Sequence, residues 1–221
     1  MSFECPKFEI KIESEPRPEI TVESDYDAFI PNEFRKNPFG YFESEGKNIK
    51  SGEIKIDEQG RVREDPTAVK EFPVWQNKEG KELRVIGKRV NAEKGEVAKS
   101  KNPLHEYEIM KKIKKLGLPV ANPIGYVKEK DKCLILTERI PGVLWRDKEA
   151  LNLKEKGYTE EDIENLKQQA QKKMEELAEE FKKKGVIRSW KLKDMVFDLD
   201  IENKQIKGIT PTDWERTKIE E

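Results

Sequence analysis

The run from Thr159 to Gly185 most restricts what this chain can fold into, because it is the longest stretch that repeats at the helical period with a single apolar stripe. Ile163, Leu166, Ala170, Met174, Leu177 and Phe181 make the stripe. Thr159-Glu-Glu-Asp is close to a capping box and Gly185 supplies a stop. One such stripe needs one apolar surface to lie on. Its length suits an internal core helix better than a coiled-coil arm. Most other periodic segments alternate with period two, so the expected class is α+β.

Strand periodicity begins early. Phe8, Ile10 and Ile12 alternate with polar residues, as do Ile20 and Val22, and Ile54 and Ile56 mark a further strand. The segment from Asp27 to Tyr41 gathers Phe29, Phe34, Phe39 and Tyr41 among prolines, asparagines and Gly40. It reads as an irregular loop whose aromatics pack on the body. Ala68 to Val90 reads as a hairpin turning near Gly80. On its return strand Lys88 shares a face with Ile86 and Val90, while Leu83, Val85 and Gly87 share the other. A lysine there either snorkels past the aliphatics or meets a buried anion.

Asn102-Pro103 starts a helix as N-cap and first helical residue, and Gly117 ends it. Glu106 lies on its packing face with Ile109, Met110 and Ile113, whereas Glu108, Lys111, Lys112 and Lys115 lie outside. A carboxylate on a packing face needs a cation or hydrogen-bond donors. His105, the single histidine, is given no metal role. Ile124 to Val127 and Cys133 to Ile140 form a second hairpin across a charged turn, stopped by Pro141-Gly142. Beyond the long helix, Val186 to Asp198 and Ile209 to Glu215 read as strand segments joined by the polar turn at Ile201 to Gln205. Asp194 and Asp213 then flank one hairpin, where two carboxylates suit a hard cation such as Mg²⁺.

The bulk numbers exclude some classes. The 221 residues can bury one good core or two small lobes. A formal charge of −1 gives no basic excess of the kind nucleic-acid binding calls for. Cys5 and Cys133 are too few and too distant for a disulfide framework, Cys133 reads as a buried thiol, and a reducing cytoplasm is expected. Neither a leader nor a membrane span is expected, since the chain opens without a charged-then-apolar stretch and holds no long apolar run.

Taken in order, the chain reads strand with inward lysine, helix with inward glutamate, hairpin ending in an apolar-Thr-Glu-Arg-Ile-Pro-Gly run, long helix, polar loop, hairpin and aspartate. From Ala68 to Glu215 that order resembles the protein-kinase-like superfamily, in particular its compact members related to aminoglycoside phosphotransferases and small atypical kinases. The resemblance implies an antiparallel-sheet N-lobe with one helix over residues 68–142, extended by residues 1–67, and a minimal helical C-lobe with a β-hairpin over residues 143–221.

It also implies roles for single residues. Lys88 is similar to the strand lysine that holds nucleotide phosphates and Glu106 to the helix glutamate that pairs with it. Thr137 falls at the gatekeeper position, and Glu138 to Ile140 at the hinge that hydrogen-bonds adenine. Ile187 to Asp194 aligns with H-R-D-x-K-x-x-N, so that Arg188 and Lys191 match, Ser189 replaces the catalytic aspartate and Asp194 replaces the metal-binding asparagine. Asp213 resembles the aspartate of D-F-G. The implied ligands are ATP and Mg²⁺, with a protein partner or substrate beside them.

No G-x-G-x-x-G precedes Lys88; Gly52, Gly60 and Gly80 stand alone. The chain also ends shortly after Asp213, which leaves any peptide-holding helices to an appended partner. Three readings follow: a pseudokinase that binds ATP and Mg²⁺, an active atypical phosphotransferase that transfers phosphate to a protein or small molecule, and a ligand-free interaction module using residues 27–41.

Overall fold

The computed structural model describes residues 18–50, 54–56, 62–64, 67–91, 103–130, 132–145 and 152–220. The strand expected at Phe8 to Ile12, the capping role of Asn102 and the residue Cys5 lie outside these. Short strands are β1 (Glu19–Val22), β2 (Lys47–Lys50), β3 (Ile54–Ile56), β4 (Val62–Glu64), β5 (Thr67–Glu71), β6 (Trp75–Gln76) and β7 (Glu82–Leu83). Then come β8 (Val85–Asn91), β9 (Pro123–Glu129) and β10 (Lys132–Glu138). Six of the ten pair antiparallel in one sheet of order β1-β9-β10-β8-β5-β2. The hairpin expected over Ala68 to Val90 is present as β5 against β8, with the small β6–β7 ladder beyond it and Gly80 at φ +77° in its turn.

The two faces of β8 explain the sheet's two covers. A Cβ at Gly87 would lie 2.9 Å from the Phe72 ring, so glycine lets the aromatic layer approach the strand. On that face Phe34, Phe42, Phe72, Trp75 and Val85 are buried together, with Phe72 and Trp75 stacked at 5.4 Å. The opposite face carries Lys88 and receives α3, introduced below.

Residues 27–41 depart from the loop expected of them. They lie within a 3₁₀ turn (Ser24–Phe29), helix α1 (Asn32–Lys36) and helix α2 (Pro38–Glu45). The reason is local: Pro38 occupies the first turn of α2 and the Asn37 side chain accepts from the Gly40 N–H at 2.9 Å, so proline begins a helix here instead of breaking one. Their aromatics do pack on the body. Phe34 and Phe42 are fully buried and Phe29, Phe39 and Tyr41 are half-buried against the same cluster, so these aromatics belong to the core. Lys70, itself buried, sits over the Phe42 ring and bonds the Glu43 carboxylate at 2.9 Å, fastening α2 to β5.

Helix α3 (Pro103–Lys115) ends at Gly117, φ +73°, and buries Glu106, Ile109, Met110 and Ile113, the face that periodicity assigned. Helix α4 (Glu160–Lys183) starts from a full capping box, Thr159 Oγ1 accepting from the Asp162 N–H and the Asp162 carboxylate accepting from the Thr159 N–H. Its stripe lies on a second sheet made by β11 (Val143–Leu144), β13 (Met195–Asp200) and β14 (Gln205–Pro211), where Ala170, Met174, Met195, Phe197 and Ile206 form one cluster. Strands β12 (Val186–Ile187) and β15 (Lys218–Ile219) pair beside it. Among the described residues no helix is long and apolar enough to cross a membrane.

Two consequences are measurable. Lys204 bonds Asp162 at 2.6 Å, and the Asn203 side chain and backbone bond Asp200, and these contacts hold each carboxyl down at about 2 from an ordinary 3.8. A depressed carboxyl stabilises the fold above its unfolded value and ceases to as pH falls through its folded one. The melting temperature is therefore expected to drop between pH 4 and 2, and the Asp162→Asn/Asp200→Asn variant to show a flatter profile there. Cys133 is 9% exposed and burial pushes its thiol up to about 11. In a Cys5→Ser background, a thiol reagent at pH 7.5 should modify the native chain only after denaturant is added.

Candidate functional site

The two sheets and α3 meet at a cleft of about 430 Å³. Its roof is the α3-facing side of the first sheet, with Ile86, Lys88, Ile135 and Thr137. One wall is the connection Glu138, Arg139 and Ile140, and the floor is Asp194, Val196 and the run Thr212 to Glu215 that follows β14.

Lys88 lies at the centre of the charge. Its ammonium reaches Glu106 Oε2 at 2.7 Å, Glu215 Oε1 at 3.0 Å and Asp213 Oδ1 at 3.4 Å. Snorkelling is thereby excluded; the inward lysine has met anions. Burial alone would lower the ammonium's pKa, but Glu106, Glu215 and Asp213 outweigh it and hold Lys88 above the usual lysine range. The lysine is a permanent cation at neutral pH. Glu106 is 3% exposed and its other oxygen accepts from the Trp214 N–H at 3.3 Å, so the helix glutamate is satisfied from both the sheet and the floor.

Hairpin arithmetic brings the aspartates together. Met195 faces Pro211 in register, which leaves Asp194 just before β13 and Asp213 just after β14 at the same open end. Thr212 ties them by donating its N–H and its hydroxyl to the Asp194 carbonyl at 2.8 and 2.9 Å. Asp213 takes φ +62°, a left-handed conformation that aspartate tolerates better than most residues and that sits here at the cleft.

The aligned loop residues divide. Arg188 turns inward, its guanidinium 4.3 Å from the Trp214 ring and 5.0 Å from Trp190, donating to the Thr212 carbonyl at 2.9 Å. Burial pulls it down to about 10 against the nearby Asp213, Asp194 and Glu106. Ser189 and Lys191 are exposed and do not line the cleft; Lys193, two residues on, does. The 3₁₀ turn at Leu192–Asp194 separates them from the floor.

At the connection, the Glu138 N–H bonds the Asn122 carbonyl and the Arg139 N–H bonds the Arg84 carbonyl, both at 2.9 Å. Pro141 has no donor, and the Ile140 N–H makes no backbone hydrogen bond among the described residues. Thr137, Glu138 and Ile140 all line the cleft.

An antiparallel sheet whose third-from-edge strand pairs a lysine with a buried helix glutamate, above a hairpin flanked by two aspartates, decides the architecture. The fold is α+β. No family model matches the chain, and no curated protein does either. Among solved structures, WaaP in complex with acyl carrier protein is similar to it, at 12% identity and a TM-score of 0.49 over 91% of this chain and 73% of that one.

Glu215 is the site residue that sequence reasoning left without a role. It follows Asp213 by two and pairs more closely with Lys88 than Asp213 does. A second acid at spacing two was the available signal.

Proposed function

We propose that the cleft binds ATP with Mg²⁺ and that the protein is a pseudokinase, holding nucleotide with little or no phosphoryl transfer. The observation that carries this is the buried Lys88–Glu106 pair, at 2.7 Å, set in a cleft large enough for a nucleoside and facing two aspartates. Lys88 would hold phosphate oxygens, and the hinge groups of Glu138 and Ile140 would take the adenine edge. Asp194 and Asp213 fit Mg²⁺, which takes oxygen ligands, uses one or two carboxylates and leaves its other positions to phosphates and water. Mg²⁺ bound there supplies neutralisation of phosphate charge. Among the described residues no group of three or more His, Cys, Asp or Glu could hold a metal ion by itself.

The argument against fast transfer is Ser189. A serine cannot accept the acceptor hydroxyl's proton at neutral pH as an aspartate does, and its side chain lies exposed outside the cleft. The intact lysine–glutamate pair favours a second reading, slow transfer driven by positioning and charge alone.

Thermal melting with ATP separates these from a ligand-free protein. At a nucleotide concentration about 100 times Kd, Mg²⁺-ATP should stabilise the fold by about 2.7 kcal/mol, and Asp213→Asn should remove most of the shift. Absence of any shift at millimolar ATP with Mg²⁺ would overturn the nucleotide reading. Single-turnover loss of the γ-phosphate that vanishes in Asp213→Asn would replace the pseudokinase reading with the second.

A further inference from the structure

Among the described residues, polar side chains tie helix α3 to the sheet at two places besides its apolar packing, and the Lys88–Glu106 pair accounts for only one. The second lies at the far edge strand. Tyr107, the residue after Glu106 and 1% exposed, donates its hydroxyl to Glu23 Oε1, and Lys111, one turn further along the same helix, reaches that oxygen at 2.9 Å. Glu23 is itself fixed, because its backbone N–H bonds the Ile124 carbonyl at 2.8 Å just beyond the β1–β9 pairing. Tyr107 packs edge-on against Tyr126 of β9, ring centres 5.3 Å apart, which sets the direction of its hydroxyl. Strand order places β8 and β1 three steps apart, about 14 Å at the usual strand spacing, so the helix is held from both sides of its footprint.

Geometry then limits what α3 can do. Glu106 and Tyr107 are adjacent and project about 100° apart around the helix axis. Turning the helix to release Tyr107 carries the Glu106 carboxylate away from Lys88. We infer that Glu23 is a positioning residue: by gripping Tyr107 and Lys111 from the β1 edge, it sets the rotation of α3 that delivers Glu106 to Lys88. The segment leading into residues 24–45, for which the sequence suggested no task, thus completes the cleft without touching it. Only the nucleotide arm of the test below rests on the proposed function.

The test uses the full-length chain and reads Lys88 directly. Acetylation of individual lysines by N-hydroxysuccinimidyl acetate is followed by mass spectrometry, with amide hydrogen exchange of α3 alongside. In Glu23→Ala, Lys88 acetylation should rise about tenfold, exchange in α3 should quicken while α4 is unchanged, and Mg²⁺-ATP affinity should fall about tenfold, as for loss of one charge-assisted hydrogen bond.

Tyr107→Phe, which removes a single oxygen, should act in the same direction, and the double variant should add little to the larger single effect. Glu23→Gln keeps an acceptor for Tyr107 and should stay within about threefold of the parent. A lower melting temperature with Lys88 acetylation and α3 exchange both unchanged would overturn the inference and leave Glu23 a mere stabiliser. Should Glu23→Ala not fold, Tyr107→Phe decides by the same readouts. If the parent chain binds no ATP yet Lys88 responds, the positioning role stands and the nucleotide reading falls; unaltered Lys88 with tight ATP binding gives the reverse.

Discussion

Lys88→Met should destabilise the protein by about 3–5 kcal/mol, the range for breaking a buried ion pair by removing one partner. The loss comes mainly from Glu106. Its side chain is 4% exposed and cannot rehydrate, Glu215 at 12% rehydrates only in part, and Asp213, 55% exposed, can turn to water. The Trp214 N–H at 3.3 Å remains as a donor but carries no full charge. For a chain of this size the melting temperature should fall by roughly 10 °C, and the urea midpoint should drop with an unchanged slope. Adding Glu106→Leu to Lys88→Met removes the most deeply stranded carboxylate, leaving Glu215 as the other enclosed acid, and should restore part of the stability without restoring any response to Mg²⁺-ATP. A single variant within about 1 kcal/mol of the parent would mean that the pair is solvated and that the cleft lacks its centre of charge.

Lys88 and Glu106 each stood out in the sequence for a definite reason, while their pairing was an expectation from the resemblance. Each breaks the pattern of its own element, a cation on an apolar strand face and an anion on an apolar helix face, and in the fold the two satisfy each other. Asp194 and Asp213 were legible through the turn between them, because a hairpin returns its two ends to one place. The long helix showed itself by stripe, cap and terminating glycine.

Other features were hidden by competing signals. Asn37-Pro38 carries the same cap-and-proline start that marks the helix at Asn102-Pro103, but the aromatics and Gly40 around it look like a loop until the core they fill is known. Glu215 becomes a partner of Lys88 only through the backbone turn at Asp213, φ +62°. Glu23 is one acid among many at a strand end, and only the pairing of β1 with β9 brings it to α3. Ser189 and Lys191 match a loop by spacing, yet spacing does not say which residues of an irregular segment turn inward.

Trp214→Ala should be as damaging as Lys88→Met, by a different route. Trp214 is 1% exposed, stacks on Phe181 of α4 with centres 5.9 Å apart and planes 14° apart, and lies under the Arg188 guanidinium. Truncation opens a cavity between α4 and the floor and removes the cation–π contact, a loss of about 3–5 kcal/mol by the usual cost of deleting a buried indole. Trp214→Phe keeps the stack and should lose much less, about 1–2 kcal/mol.

The two variants also differ in where they act. Because the indole is flanked directly by Asp213 and Glu215, the alanine variant should speed amide exchange from Thr210 to Thr217 and weaken the ATP-induced shift more than its stability loss explains. Phenylalanine should leave both near the parent. Equal exchange in that segment for Trp214→Ala and the parent would show that the acids are placed by the hairpin backbone alone, with the Asp194–Thr212 bonds sufficient to hold them.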